Sequence, residues 1–329
     1  MRAFVTGGSG FVGQRLIATL REQGHTVKAL GRSEAARAEV LRAGAEPCEG
    51  DLSSPEALQR GMEGCEVVFH AAAVVKMWCP RAEIFDANVR GTEHVLEAAR
   101  SVGIQRLVHV STEAVLMDGT LLSRADETWP LPSHPVGDYA STKSAAERLV
   151  LSVNSPGFTT VVVRPRFIWG KGKDPALAAV TEAVRSGRFW WIDGGHYQTS
   201  TCHVANCVEG MLLAAEKGKG GQAYFLTDGE PVDFREFMTA LLKAQGVEPG
   251  GKSLPRWLGM GMATVGEALW TFLRLPGRPP ATRAEMLVVG QEVTVSDAKA
   301  RQELGYTGRM TREKGFQELA QRAPEAGGP

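Results

Sequence analysis

Through the first half of the chain, apolar positions follow two alternating rhythms. Short runs at Ala3-Phe4-Val5, Thr26 to Leu30, Glu46 to Glu49, Val67-Val68-Phe69, Leu107 to Val110 and Thr159 to Val163 read as strands. Between them, Leu16, Ile17 and Leu20 recur at helical spacing, as do Glu56 to Met62, Glu83 to Val102 and Asp138 to Val153. Apolar strands separated by helices predict an α/β fold with a doubly wound parallel sheet, covered on both faces and binding ligands beyond the carboxyl ends of its strands. After Trp169 the rhythm becomes irregular. A helix over Ala176 to Arg185, a strand at Phe189 to Ile192, a helix from His203-Val204 to Ala215, a strand at Tyr224 to Leu226 and a helix from Phe234 to Leu242 are expected. Pro255 to Leu275 is the most apolar helix candidate, and it can serve as core, as a pocket wall or lid, or as a membrane-surface helix. A helix ending near Leu304 and another from Thr311 follow, and the Pro/Gly-rich end from Pro324 is expected to fray.

Composition narrows the function more than the fold. Lys+Arg and Asp+Glu both total 37, and with no basic run the electrostatic case for nucleic acid disappears. Five scattered cysteines without a Cys-x-x-Cys pair suit free thiols in a reducing cytoplasm. Cys202, His203 and Cys207 read as a structural helix start, so no metal is expected. The N-terminus enters a strand directly, and no apolar run is long enough to span a bilayer.

The chemistry starts at Thr6 to Gly13. Gly7, Gly10 and Gly13 follow the first strand and open the first helix, where a tight turn, backbone approach to a diphosphate and close helix packing each require glycine. Free N–H groups of Phe11 and Val12 and the positive helix end would face the anion. Past the second strand stands Gly31-Arg32-Ser33, with no acid for a ribose 2′-hydroxyl and with Arg32 suited to a 2′-phosphate, so NADP(H) is favoured over NAD(H). Tyr139 and Lys143 lie one helical turn apart, a pairing no other tyrosine of this chain has. A phenol is a poor acid catalyst at neutral pH unless a nearby cation stabilises its anion, a service Lys143 can render.

In sequence order, Thr6 to Gly13, Asp51-Leu52, His70 to Ala73, Asn88 to Thr92, Ser111-Thr112, Tyr139-x-x-x-Lys143 and Arg164 to Gly170 resemble the extended short-chain dehydrogenases/reductases. Thr201 to Ala215, Ala223 to Pro231 and Leu304-Gly-Tyr306 are most similar to the 3β-hydroxysteroid dehydrogenase-like branch, which includes sterol dehydrogenases and 2-alkyl-3-ketoalkanoate reductases. The resemblance implies a Rossmann domain over residues 1–168 with 203–228 returning to it, and a substrate-binding or lid region over 169–202 and 229–329. It implies Tyr139 as general acid or base and Lys143 as the group that lowers its pKa and holds the nicotinamide ribose. Thr112, or else Ser111, would bond the substrate oxygen, and Asn88 would support the lysine through water or else bond backbone. Asp51 and Leu52 would border the adenine, while Ala71, Ala72, Ala73 and Pro165 would lie along the cofactor. A dehydratase would carry Thr-Asp-Glu where this chain has Thr112-Glu113-Ala114, so elimination is not expected. Val74, Val75, Met77, Trp78, Phe167, Trp169 and Tyr197, with Arg166 as a carboxylate contact, predict a pocket for a hydrophobic sterol or 3-keto acid. A homodimer and peripheral membrane contact complete the expected partners. A nucleotide-sugar epimerase retaining NAD and a non-catalytic NADP(H) sensor are the alternatives.

Overall fold

A computed structural model describes residues 1–321, so the expectation for the end beyond Pro324 lies outside the described residues. Seven parallel strands form the main sheet: β1 (Arg2–Thr6), β2 (Thr26–Gly31), β3 (Glu46–Glu49), β4 (Val67–His70), β5 (Arg106–Val110), β6 (Thr159–Pro165) and β7 (Gln222–Leu226). Their order is 3-2-1-4-5-6-7, which puts the reversal point between β1 and β4, where Thr6 pairs with His70.

Thirteen helices are described: α1 (Phe11–Glu22), α2 (Glu34–Arg42), α3 (Pro55–Met62), α4 (Arg81–Phe85), α5 (Gly91–Ser101), α6 (Gly137–Ser152), α7 (Pro175–Arg185), α8 (Val204–Lys217), α9 (Phe234–Ala244), α10 (Arg256–Leu273), α11 (Arg283–Val289), α12 (Ala298–Leu304) and α13 (Arg312–Ala320). Two large apolar clusters flank the sheet. Leu16, Ile17, Leu20 and Met211 fill one, and Leu58, Val95, Leu96 and Val150 the other. β4, buried at all four residues, shows why such strands read as continuous apolar runs.

Three differences from the expected elements have physical causes. A turn of π-helix at Asp86–Arg90 interrupts the rod from α4 to α5, a local widening that apolar periodicity does not reveal. A four-stranded second sheet joins Leu122–Ala125, Gln198–Thr199, Val232–Asp233 and Val293–Val295, segments too short to show a two-residue alternation. The strand expected at Phe189 to Ile192 shrinks to Trp191–Ile192. Of the three options for the Pro255 to Leu275 segment, core does not apply to the large side chains of α10: Trp257, Leu258, Met262, Val265, Leu269, Phe272 and Leu273 are all exposed.

Candidate active site

The glycine turn forms a cradle at the reversal point. Gly7 has φ +75°, and a Cβ there would meet Ala72 N at 2.7 Å, so the chain after β4 lies directly on the turn. A Cβ at Gly13 would fall on the Gly7 carbonyl. Gly10 donates its N–H to the Gly7 carbonyl at 2.9 Å and begins α1 without a side-chain cap, which leaves the N–H groups of Phe11 and Val12 for an anion. Ala71, Ala72 and Ala73 keep the adjoining chain thin. At the rim, Asp51 accepts from Ser53 N at 2.8 Å and from Ser53 Oγ at 2.6 Å, bonds that hold its carboxyl below the usual range, and Leu52 is wedged over Gly91. Arg32 is exposed just past β2. Pro165 ends β6, buried beside Leu226. These residues fit a dinucleotide: small side chains where backbone must approach, an open helix end for the diphosphate, and a cation at the second strand.

Across the strand ends from the cradle, α6 presents Tyr139 and Lys143 on one face. Thr112 is fully extended at φ −159°, ψ 158°, and its hydroxyl donates to Glu113 Oε2 at 2.8 Å, beside the phenol. Burial raises the Tyr139 pKa above the ordinary phenol value, the Glu113 carboxylate raises it further, and the Thr112 hydroxyl opposes both. Lys143, one turn further along α6, is tied to β5. Its ammonium donates to the Val110 carbonyl at 2.7 Å and to His109 Nε2 at 3.2 Å. Burial pushes the Lys143 pKa down to about 8, and the Glu147 carboxylate resists the fall.

The neighbouring hydroxyls part company. Ser111 donates to Glu147 Oε2 at 2.6 Å, and Glu147 is gripped through both oxygens by Arg164, all within the core. Ser111 thus does not stand in for Thr112. Glu147 follows Lys143 by one turn, so the spacing Tyr139, Lys143, Glu147 was visible as a single helix face. Asn88 bonds backbone: its amide pairs with both polar groups of Val74, at 2.7 and 3.0 Å, and donates to Thr142 Oγ1 at 3.2 Å. It ties the loop after β4 to α6 and makes no direct bond to Lys143. Two buried histidines lie beneath. His70 joins Thr6 and Thr92, at 2.7 and 2.9 Å, and burial drives its pKa to about 3; burial and the Lys143 charge likewise hold His109 neutral, so its Nε2 can accept from the ammonium.

The expected substrate residues scatter. A narrow cavity of about 10 Å³ opens beside Tyr139, lined by Met77, Ala114, Met117, Val136, Leu287 and Val288 among others. Trp169 lies elsewhere: it is fully buried against His203, Phe237 and Phe316, and its indole donates to Asp228 at 2.6 Å, so it is core. Arg166 has its carboxylate already, Glu113, at 2.8 Å, and also donates to the Val288 carbonyl at 2.8 Å. Phe167 packs edge-on to Phe234 and Phe237, and Tyr197 stacks on Phe234 with its hydroxyl donated to the Val289 carbonyl. Val75 is exposed and Trp78 half-buried on the loop that also carries Met77. The missed lining comes from α11, whose short apolar run carries no chemistry that would single it out.

Fold and site together define an extended short-chain dehydrogenase/reductase. Residues 4–256 match the 3-beta hydroxysteroid dehydrogenase/isomerase family, and the chain belongs to it. It is 52% identical over 328 residues, covering 100% of this chain and 98% of the relative, to the 4-hydroxy-2-methyl-3-oxo-4-farnesyl-3,4-dihydroquinoline-1-oxide ketoreductase of Stigmatella aurantiaca. It is 35% identical to the 2-alkyl-3-oxoalkanoate reductase of Stenotrophomonas maltophilia (strain K279a), covering 97% of this chain and 98% of that one. The crystal structure of gox2253 superposes with a TM-score of 0.78 at 29% identity, covering 97% of this chain and 96% of that chain. The protein is an NAD(P)-dependent oxidoreductase acting on CH–OH or C=O groups.

Proposed function

We propose that the protein is an NADP(H)-dependent ketoreductase for a hydrophobic ketone, with Tyr139 as proton donor. The observation that carries this reading is the Tyr139 phenol, kept protonated by burial, on one helix face with Lys143 and beside an apolar cavity. The cofactor, when bound, supplies the hydride. Tyr139 holds the carbonyl oxygen and gives it a proton as negative charge develops, and Thr112 joins it once its proton turns from Glu113 to that oxygen. Lys143 keeps a positive charge at hand for the phenolate that remains. Burial keeps the phenol protonated, the form that can donate, and leaves it a weak acid until a cation stabilises its anion. The neutral, aliphatic lining suits an alkyl or prenyl chain, in keeping with the farnesyl and 2-alkyl groups in the relatives' names. Measuring cofactor oxidation against 2-alkyl-3-keto acids, prenylated ketones and sterol ketones tests the assignment; epimerisation of a UDP-sugar with NAD retained and no net cofactor oxidation, and no turnover of the ketones, would establish the epimerase instead. A homodimer in a reducing cytoplasm remains part of the proposal, the five cysteines being unpaired.

Two outcomes follow. Below pH 8 Lys143 is charged and above it neutral, so kcat/KM for reduction should be level at lower pH and fall as pH rises through about 8. A profile flat to pH 10 would remove Lys143 from the reaction. Arg32→Ala should raise the KM for NADPH by ~10-fold or more and leave that for NADH nearly unchanged, since only the former carries the 2′-phosphate. Equal changes for both cofactors would refute the preference.

A further inference from the structure

A row of polar residues crosses the main sheet beneath the site. Thr6 pairs with His70 in the β1–β4 register and His70 with His109 in the β4–β5 register, so the three lie side by side at the carboxyl ends of neighbouring strands. Polar groups this deep need partners. His70 uses both ring nitrogens, on Thr6 at 2.7 Å and Thr92 at 2.9 Å, and the Thr6 hydroxyl also accepts from Ala72 N at 3.3 Å. The first two members of the row are thus committed to the chain after β4 and to α5.

His109 differs. It is 1% exposed, its Nε2 stands 3.2 Å from the Lys143 ammonium, and its Nδ1 has no hydrogen-bond partner among the described residues. An ammonium can only donate, so Nε2 is the acceptor and the single proton of the neutral ring sits on Nδ1. A buried donor left unpaired costs stability, and an apolar ring in the same space would avoid that cost. What the histidine supplies in return is a second anchor for Lys143. Of the three N–H groups of the ammonium, the Val110 carbonyl takes one at 2.7 Å and His109 Nε2 a second, which leaves one for a ligand.

We infer that His109 is a positioning residue that fixes the Lys143 ammonium against β5, so that its remaining N–H is reserved for the ribose of the cofactor. The inference rests on the assignment of Lys143 to the cofactor, and it concerns binding, so it can be tested without knowledge of the ketone. The titratable groups about the ammonium are Tyr139 and Glu147 on its own helix, His109 on β5 and His70 on β4, with Arg164 of β6 holding Glu147. Both histidines stay neutral; Glu147 supports the lysine charge by attraction and His109 by accepting from it. Removing the acceptor favours the amine over the ammonium, so the charge is lost at a lower pH.

Fluorescence titration of the full chain with NADPH, repeated across pH, reads these effects. The parent should lose affinity as pH rises through about 8, where the ammonium discharges. His109→Phe should bind NADPH ~5-fold or more weakly at neutral pH, and its alkaline loss should begin at lower pH. His109→Gln, whose amide oxygen lies as many bonds from Cβ as Nε2 does, should stay within about twofold of the parent, while His109→Asn, one bond shorter, should behave as His109→Phe does. Should the Phe variant fail to fold, the two amides, alike in chemistry and different in reach, decide the matter. Parental affinity and pH dependence in His109→Phe, or equal losses in the Gln and Asn variants, overturns the inference. Lys143→Met tells the two possible failures apart. If it binds NADPH as the parent does, the assignment of Lys143 falls and the inference with it; if it binds weakly while His109→Phe is normal, the lysine serves the cofactor unaided and only the inference falls.

Discussion

Tyr139→Phe should cut turnover by ~10²-fold or more while the dissociation constant for NADPH changes by less than about threefold. The substitution removes one oxygen and keeps the ring, so the apolar contacts of Tyr139 with its surroundings in the cavity wall persist. The lost oxygen is the acid whose proton the burial of the site retains. Without it the carbonyl oxygen keeps Thr112, but nothing adjacent can deliver a proton: Lys143 is engaged with Val110 and His109, and the carboxylate of Glu113 is held by Arg166. Steady-state rates with saturating cofactor, alongside fluorescence titration of NADPH, separate the two effects. Near-normal turnover would show that the proton comes from elsewhere.

Glu147→Gln should destabilise the fold by ~3 kcal/mol or more, read from the urea midpoint. Glu147 and Arg164 have side chains 0% and 4% exposed, so the variant leaves a buried guanidinium without its counter-charge. Ser111 loses a charged acceptor at the same time. The double variant Glu147→Leu, Arg164→Met removes both charges and should recover much of the loss, because the pair itself, once desolvated, contributes little beyond mutual compensation. A single variant within about 1 kcal/mol of the parent would show that water reaches the pair. The variant also strips Lys143 of the carboxylate that supports its charge, so the alkaline fall in kcat/KM should begin at lower pH.

Local spacing carried most of what was legible. The glycine turn and the Tyr139-Lys143 face are written within eight and five residues, and each is dictated by one helix or one turn. The doubly wound parallel sheet followed from the alternation of apolar runs and helices, whereas the order of its strands came from the structure. What escaped notice depends on contacts between distant segments. Arg166 meets Glu113 across 53 positions, and nothing in the arginine's neighbours reveals that its carboxylate is internal. Trp169 and Trp78 have the same composition, yet one is core and the other borders a loop near the site. Ser111 and Thr112 are adjacent hydroxyls, yet one donates to Glu147 in the core and the other to Glu113 beside the phenol. The apolar periodicity of α10 fixed the helix but not its partner, because hydrophobicity states a need for cover without naming what supplies it.

Arg166 holds Glu113 with one nitrogen and the Val288 carbonyl with another, and Glu113 accepts the Thr112 hydroxyl at 2.8 Å. The cavity wall at Val288 and the Thr112 hydroxyl are therefore links of one chain of hydrogen bonds. Widening the cavity by displacing α11 would pull on that chain, so on the proposed role of Thr112 breadth of substrate and alignment of the reacting carbonyl should trade against each other. Redesign for bulkier ketones should trim side chains at Leu287 or Met117 and leave the backbone at Val288 where Arg166 holds it.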